Sequence, residues 1–163
     1  MSKQKTLRAR ALDILARSET GRAALKRKLA PHAESEDELE AVLDEMAARG
    51  WQSDARYAEA YIRSKSPKHG TLRLRRDLAQ QGVDSDTVRA LLPDDADETA
   101  NAAAVLRKKF KVPPANYAEK QKQMRFLAYR GFDGGTIARA LKQTWAEQSG
   151  GWDEEWNDGE YGD

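Results

Sequence analysis

The stretch Leu74-Arg75-Arg76-Asp77-Leu78 decides the fold, because its pattern recurs along the chain at a fixed step. Leucines four residues apart lie on one face of an α-helix, and the residue midway between them faces the opposite side. Leu25 and Leu29 have the same spacing 49 residues earlier, and Leu127 lies 49 residues after Leu78. The pattern therefore predicts one amphipathic helix that occurs three times.

Other positions follow the same step of 49 residues. The matching apolar sets are Leu39, Val88 and Ile137, then Leu43, Leu92 and Leu141, then Tyr61 and Phe110. Gly21 and Gly70 are also 49 residues apart. Self-similarity at this period is typical of repeat proteins, in which each unit is too small to bury its apolar face alone. We expect an all-α protein of about nine helices, arranged as three tandem three-helix repeats in an elongated or curved body.

Capping and stop signals separate these helices. Ser35 and Glu38 have the spacing of a capping box before an apolar run, and Gly50 ends that helix. Ser18 and Thr20 offer hydroxyl groups to cap the second helix. The alternation with period two that marks strands is almost absent, which supports the all-α prediction.

The charge distribution separates a basic body from an acidic tail. The predicted divisions are repeat one at 1–51, repeat two at 52–93, repeat three at 94–148 and an acidic, aromatic, disordered tail at 149–163. The tail holds six of the 27 acidic residues and no base, so the body carries 28 basic and 21 acidic groups, a net charge of +7. Such a block is typical of an interaction segment or of a solubilising terminus, and Trp152 and Trp156 favour docking over pure disorder.

Composition excludes several classes of protein. The chain of 163 residues has no cysteine and only two histidines, which excludes a disulfide scaffold, a thiolate metal site and a histidine-rich metal centre. The mean hydropathy is −0.86, and no apolar run approaches the length of a membrane span. We expect a cytoplasmic monomer with no membrane partner.

The sequence offers no catalytic site. Residues 131–135, Gly-Phe-Asp-Gly-Gly, lie between predicted helices rather than after a strand, so we interpret them as a helix stop and turn. No nucleophile lies near a general base in the pattern, and no metal-ligand spacing occurs. We predict a protein that is not an enzyme and needs no cofactor or metal.

Three arginines occupy the outward position of the repeated helix. Arg27, Arg76 and Arg125 are 49 residues apart and face away from the leucines. Stacked repeats would align them as a basic stripe that attracts phosphates or an acidic protein groove. An ordinary solvated helix face is the alternative interpretation. Sequence-specific DNA reading is disfavoured because residues 34–45, in the third helix, are strongly acidic.

Several motifs, in order, resemble those of a known family. Residues 50–65 begin Gly-Trp-Gln-Ser-Asp-Ala-Arg-Tyr-Ala and match an aromatic-x-x-Asp-x-Arg-aromatic-Ala stretch. Residues 125–132, Arg-Phe-Leu-Ala-Tyr-Arg-Gly-Phe, are close to an Arg-Phe-Leu-x-x-Arg-Gly-aromatic motif. The segments 11–15 and 25–29 also fit. Over residues 5–148 the chain resembles the RecX family of bacterial RecA regulators.

The resemblance implies a partner and a function. Family members consist of tandem three-helix repeats, and the likeness implies binding to the RecA filament on single-stranded DNA. Such binding would mainly inhibit the recombinase, ATPase and co-protease activities of RecA, and so damp DNA repair by recombination and the SOS response. The candidates for contact with RecA or DNA are Arg27, Arg56, Arg63, Arg73, Arg76, Lys122, Arg125 and Arg130. The expected core residues are Tyr57, Tyr61, Leu78, Leu127 and Phe132.

Two departures and two alternative functions remain. Ala33 stands where the later repeats have Gly82 and Gly131, so we expect the turn of the first repeat to differ. The tail lies outside the resemblance, and its charge suggests that it competes with DNA or RecA for the basic stripe. The first alternative is a basic repeat protein that binds single- or double-stranded DNA directly, without RecA. The second is a purely structural helical adaptor.

Overall fold

Nine α-helices build the part of the chain that the computed structural model describes, residues 3–146 and 148. They are α1 (Leu7–Arg17), α2 (Arg22–Leu29), α3 (Glu36–Ala48), α4 (Asp54–Lys65), α5 (Thr71–Gln80), α6 (Ser85–Leu91), α7 (Asp95–Lys109), α8 (Tyr117–Tyr129) and α9 (Gly134–Trp145). A 3-10 turn, Ala30–His32, follows α2. No strand occurs in this described part, and the all-α prediction is confirmed. The predicted tail lies outside the described residues.

Most of the repeated apolar positions are buried, and Leu92, Tyr61 and Phe110 are partly buried. Leu29, Leu78 and Leu127 are fully buried, and the set that contains Leu39 and Ile137 is buried throughout. Of the expected core residues, Leu78, Leu127 and Phe132 are buried, whereas Tyr57 and Tyr61 are only partly buried. The Tyr61 hydroxyl donates a hydrogen bond to Asp77 Oδ2 at 2.9 Å, which explains why this ring keeps its polar end near the surface. The step of 49 residues thus reflects one pattern of helix packing that occurs three times along the chain.

The chain packs into two compact units. The first comprises Met1–Arg63 and Arg75–Leu91, and the second comprises Ser64–Leu74 and the chain from Leu92 onward. In the first unit, α1, α2 and α3 pack together around a cluster that includes Leu25, Leu43 and Met46. In the second, α7 and α8 pack on α9 around Leu106, Leu127 and Trp145. The repeat boundaries at 51/52 and 93/94 stay predictions.

The capping predictions have mixed outcomes. Ser35 Oγ accepts from the Glu38 amide at 3.1 Å, which confirms the predicted N-cap. Glu38 Oε2 accepts from the Glu34 amide at 2.9 Å rather than from the Ser35 amide, so the second bond of a capping box is shifted by one residue. The expected hydroxyl cap of α2 is wrong, because Gly21 is its N-cap residue and provides no side chain. Asp54 Oδ1 instead accepts from the Arg22 amide at 2.8 Å.

The second helix of the second repeat uses the same device. Thr71 begins α5, and both its amide and its hydroxyl donate to Glu98 Oε1 at 2.9 Å. Glu98 lies on α7 and is only 4% exposed, so its carboxylate replaces water at the positive end of the α5 dipole. Asp54 and Glu98 both come from the helix that begins the following repeat. A carboxylate from the next repeat therefore caps α2 and α5, whereas Asn116 caps α8 with its own side chain.

Two glycine turns lie against the start of the second helix of the preceding repeat. Gly82 and Gly131 have φ values of 77° and 93°, a region that L side chains rarely adopt. A Cβ added to Gly82 would lie 3.2 Å from Ala23 Cβ, and one added to Gly131 would lie 2.9 Å from the Arg73 amide nitrogen. Ala33, at the matching position of the first repeat, has φ −82° after the 3-10 turn. The expected difference in the first turn is confirmed.

Candidate functional site

The three repeated arginines are exposed, as the helix pattern predicts. Arg27 on α2 and Arg76 on α5 belong to the first compact unit, whereas Arg125 on α8 belongs to the second. Arg27 Nη2 donates to Gln81 Oε1 at 3.1 Å, and Arg76 Nε lies 3.8 Å from Asp77 Oδ1. Among residues 3–146 and 148, no carboxylate pairs with the Arg125 side chain. The continuous stripe would run over both units and stays a prediction.

Two neighbouring cations on α2 form ion pairs with carboxylates of α3. Arg22 Nη2 lies 2.9 Å from Glu40 Oε2 and 2.7 Å from Asp44 Oδ1. Lys26 Nζ lies 2.6 Å from Glu40 Oε1 and 3.0 Å from Glu36 Oε1. The Lys26 and Arg22 hydrogen bonds lower the pKa of the Glu40 carboxyl below its ordinary value. The acidic third helix thus neutralises α2 on this side, so Arg22 and Lys26 do not add to the basic surface around Arg27.

The two candidate arginines on α4 differ in the contacts that their side chains make with the rest of the protein. Arg56 Nε donates to Glu19 Oε1 at 3.0 Å, and its Nη2 donates to the Gly50 carbonyl at 2.6 Å. Arg63 is 73% exposed at its side chain and pairs with Glu59, one turn earlier on the same helix, at 3.1 Å. The structure therefore gives Arg56 a role in holding the α3–α4 loop, whereas Arg63 projects into solvent.

The candidates of the second unit lie in three settings. Arg73 is partly buried at the Gly131 turn, and Gly70 and Leu72 donate backbone hydrogen bonds to the Arg130 and Gly131 carbonyls at 2.9 and 3.1 Å. Lys122 is exposed on α8. The Arg130 guanidinium lies 5.2 Å from the centroid of the Phe126 ring, within the range of a cation–π contact.

A basic cleft of about 540 Å³ opens in the second unit beside Arg130. Its cations are Lys68, Lys108, Lys109 and Arg130, and Val105 and Phe126 give it an apolar side. Arg130 is the one sequence candidate that lines this cleft. The other three cations were missed because they come from two segments that lie far apart in the sequence, residue 68 and residues 108–109. The run Arg107-Lys108-Lys109 at the end of α7 was the signal in the sequence.

Trp51, an aromatic residue of the first motif, lies between two arginines of the first unit. The guanidinium groups of Arg8 and Arg49 lie 5.6 and 5.1 Å from the indole centroid. Glu45 bridges both arginines, at 2.7 Å from Arg8 and 3.3 Å from Arg49. The Arg8 hydrogen bond lowers the pKa of the Glu45 carboxyl. The motif tryptophan thus joins the start of α1 to the end of α3.

The described residues contain neither a cluster of metal ligands nor a helix that could span a membrane. Within residues 3–146 and 148, no group of three His, Asp or Glu side chains is arranged to hold a metal ion. None of the helices in this part of the chain combines the length and apolarity that crossing a bilayer requires.

Comparison with known proteins identifies the family. The model of the second three-helix domain of RecX matches residues 53–92, and that of the third matches residues 96–141. A "Regulatory protein RecX" of Neisseria meningitidis serogroup A is 65% identical over 159 residues, which cover 98% of this chain and 99% of that protein. The chain belongs to the RecX family. The tandem three-helix plan is therefore the family's own, and the resemblance found in the sequence is confirmed.

More distant relatives agree with this assignment. The "Regulatory protein RecX" of Chromobacterium violaceum is 50% identical over 137 residues, which cover 84% of this chain and 90% of that protein. The crystal structure of RecX from Lactobacillus salivarius superposes with a TM-score of 0.77 at 19% identity, covering 85% of this chain and 94% of that one. This structural likeness establishes a shared fold. The meningococcal match, at 98% of the chain, also extends into residues 149–163.

Proposed function

We propose that this protein regulates RecA by binding the RecA filament on single-stranded DNA and mainly inhibiting its recombinase, ATPase and co-protease activities. The 65% identity to a regulatory protein RecX over 98% of the chain carries this proposal. The protein acts by binding rather than by a catalytic step, as a monomer in the cytoplasm, and needs no cofactor.

The exposed cations supply the binding chemistry. Arg27, Arg63, Arg76, Lys122 and Arg125 each present a cation to solvent. A filament repeats the same protein and phosphate groups along its length, so several weak contacts made by one folded chain act together through their effective concentration. Guanidinium groups suit both partners, because they bind carboxylates and phosphates in a bidentate manner.

Fluorescence anisotropy with a labelled single-stranded oligonucleotide tests the proposal directly. The protein is titrated onto the bare oligonucleotide and onto the same oligonucleotide coated with RecA and a slowly hydrolysed ATP analogue. We expect binding to the RecA-coated strand to be at least about tenfold tighter, which is about 1.4 kcal/mol. Equal or tighter binding to the bare strand would favour the direct DNA-binding alternative, and binding to neither would favour the structural adaptor.

A charge-removal variant tests the repeated arginines. In Arg27→Gln/Arg76→Gln/Arg125→Gln we expect at least fivefold weaker binding to the RecA-coated strand. If the three side chains bind phosphate, the salt dependence for the bare strand becomes weaker. The negative slope of log affinity against log salt concentration then becomes shallower by about 2, at roughly 0.7 per contact. If they bind RecA, the slope for the bare strand stays the same. The two results separate protein contacts from phosphate contacts.

The matched control removes the same charge from elsewhere on the exposed surface. Arg17→Gln/Arg89→Gln/Arg107→Gln also lowers the net charge by three, and none of these arginines is a candidate contact. This variant should bind the filament with nearly the affinity of the unaltered chain. Equal losses in the two variants would mean that only net charge matters and would remove the three repeated arginines from the interface.

A further inference from the structure

The basic cleft of the second unit gathers like charges that have no acidic partner. Lys68, Lys108, Lys109 and Arg130 line one space of about 540 Å³. Over the part of the chain that the structure describes, none of these four side chains forms an ion pair with a carboxylate. On α2, by contrast, Glu40 pairs with both Arg22 and Lys26. Converging cations raise the local potential and attract an anion.

The cleft also offers apolar and aromatic surface. Val105 and Phe126 are partly buried and line it together with the four cations. Phe126 contacts Phe110 edge to face, with ring centroids 5.6 Å apart and an interplanar angle of 81°. Arg130 lies over the Phe126 ring. A ligand that combines several carboxylates with an aromatic or apolar side chain fits this surface better than a simple anion does.

Residues 149–163 of this chain have that chemistry. They contain six acids and no base, and Trp152-Asp153-Glu154-Glu155-Trp156 places three carboxylates between two indole rings. The rest of the chain carries a net charge of +7, so the tail is its electrostatic complement. Such complementarity favours association and weakens as salt screens the charges.

Two hydrogen bonds link the end of α9 to the segment that follows α7 in the second unit. Trp145, the last residue of α9, donates its indole N–H to Gln123 Oε1 at 2.9 Å, and Gln123 Nε2 donates to the Val112 carbonyl at 3.4 Å. Val112 follows Lys109 by three residues, which span at most about 11 Å. Fifteen extended residues reach about 50 Å, so the tail is long enough to enter the cleft.

We propose that residues 149–163 bind in the basic cleft of the same molecule, with their carboxylates against Lys68, Lys108, Lys109 and Arg130 and an indole ring beside Phe126. Attachment to the same chain gives the tail an effective concentration in the millimolar range, so individually weak contacts suffice. The cleft is then covered until a stronger anionic ligand displaces the tail. The contact does not depend on RecA and stands whether or not the proposed function is correct.

Disulfide trapping in the full chain tests this contact, because the chain contains no cysteine of its own. One variant combines Asn157→Cys in the tail with Ala104→Cys, an exposed residue that lines the cleft. The control combines Asn157→Cys with Ala138→Cys, an exposed residue on α9 that is closer to the tail in sequence. With oxidised glutathione at low salt, we expect the intramolecular disulfide to Ala104→Cys to form at least tenfold faster than that to Ala138→Cys.

The cleft lysines and a second readout complete the test. Adding Lys108→Gln/Lys109→Gln should remove the rate difference, as should a high salt concentration. Asp153→Asn/Glu154→Gln/Glu155→Gln should bind labelled oligothymidylate several-fold tighter than the unaltered chain at low salt. The proposal would be overturned if the two cysteine pairs formed their disulfides at equal rates. It would also be overturned if Lys108→Gln/Lys109→Gln left the difference between those rates unchanged. If oligothymidylate binds the cleft with the same affinity whether the tail is unaltered or carries the three substitutions, the cleft would be assigned to nucleic acid instead.

Discussion

Gly70 marks a close approach between two parts of the second unit. Its amide donates to the Arg130 carbonyl at 2.9 Å, and a Cβ added to it would overlap the backbone of Gly131 and Phe132. Backbone cannot move aside as the end of a flexible side chain can. We therefore expect Gly70→Ala to lower the free energy of unfolding by about 1–3 kcal/mol or more, as over-packing does in other proteins. Urea unfolding followed by circular dichroism measures this change.

Gly134 provides the control for this substitution. It is the first residue of α9. Apart from its chain neighbours and the backbone of its own helix, no atom of the described chain lies within 4 Å of a Cβ added there. Gly134→Ala should leave stability unchanged or raise it slightly, because alanine restricts the unfolded chain more than glycine does. Similar losses of stability in the two variants would mean that the approach of Gly70 to Gly131 is not as close as the structure has it.

At the residue scale, the sequence predicted exposure better than pairing. The outward positions of Arg27, Arg76 and Arg125 follow from helix geometry alone, and all three are exposed. The engagement of Arg22 by α3 could not be predicted, because its partners lie 18 and 22 residues away on another helix. The sequence also gave no reason to single out Gly70 for close packing, since the atoms it approaches lie some 60 residues further along the chain.

At the scale of the elements, the ion pairs between α2 and α3 make stability depend on pH. Hydrogen bonds from Lys26 and Arg22 hold the folded-state pKa of Glu40 below its ordinary value of 4.5. A carboxyl whose pKa is lower in the folded state stabilises the fold above its unfolded pKa, and this stabilisation is lost as the pH falls through the folded value. Glu40→Gln should therefore be less stable than the unaltered chain at pH 7, with the difference shrinking below about pH 4.5.

Unfolding in urea at pH 7 and pH 3 checks this prediction. Glu34→Gln is the control, since the exposed Glu34 side chain forms no ion pair within the described residues. Its difference in stability from the unaltered chain should be small at both pH values. A difference between Glu40→Gln and the unaltered chain that is as large at pH 3 as at pH 7 would remove the ion pairs as its cause.

The helices themselves were largely predictable, and their caps were only partly so. Ser35 and Glu38 cap α3 through residues that are neighbours in sequence, and this contact was predicted. The α2 cap was missed because Asp54 lies 32 residues after the amide that it accepts from. Sequence spacing predicts contacts between residues that are close together in the chain. A cap that comes from the next repeat can be predicted only when the packing of the repeats is known.

At the scale of the whole molecule, the tandem plan followed from the step of 49 residues, and the basic cleft did not. The cleft draws its cations from residue 68, from 108–109 and from residue 130, which no periodic pattern connects. The two compact units also divide α5, since Leu74 falls in one and Arg75 in the other. The repeat is thus a unit of sequence, and the packing that creates the cleft joins parts of more than one repeat.

The measurement that tests the central claim most directly is the ATPase rate of RecA on single-stranded DNA, titrated with this protein. A RecX-family regulator that acts on the filament should lower the rate at well below one copy per RecA protomer, because one bound molecule affects the protomers around it or blocks a growing end. An unchanged rate up to one copy per protomer, with direct binding to the same DNA at those concentrations, would contradict the account.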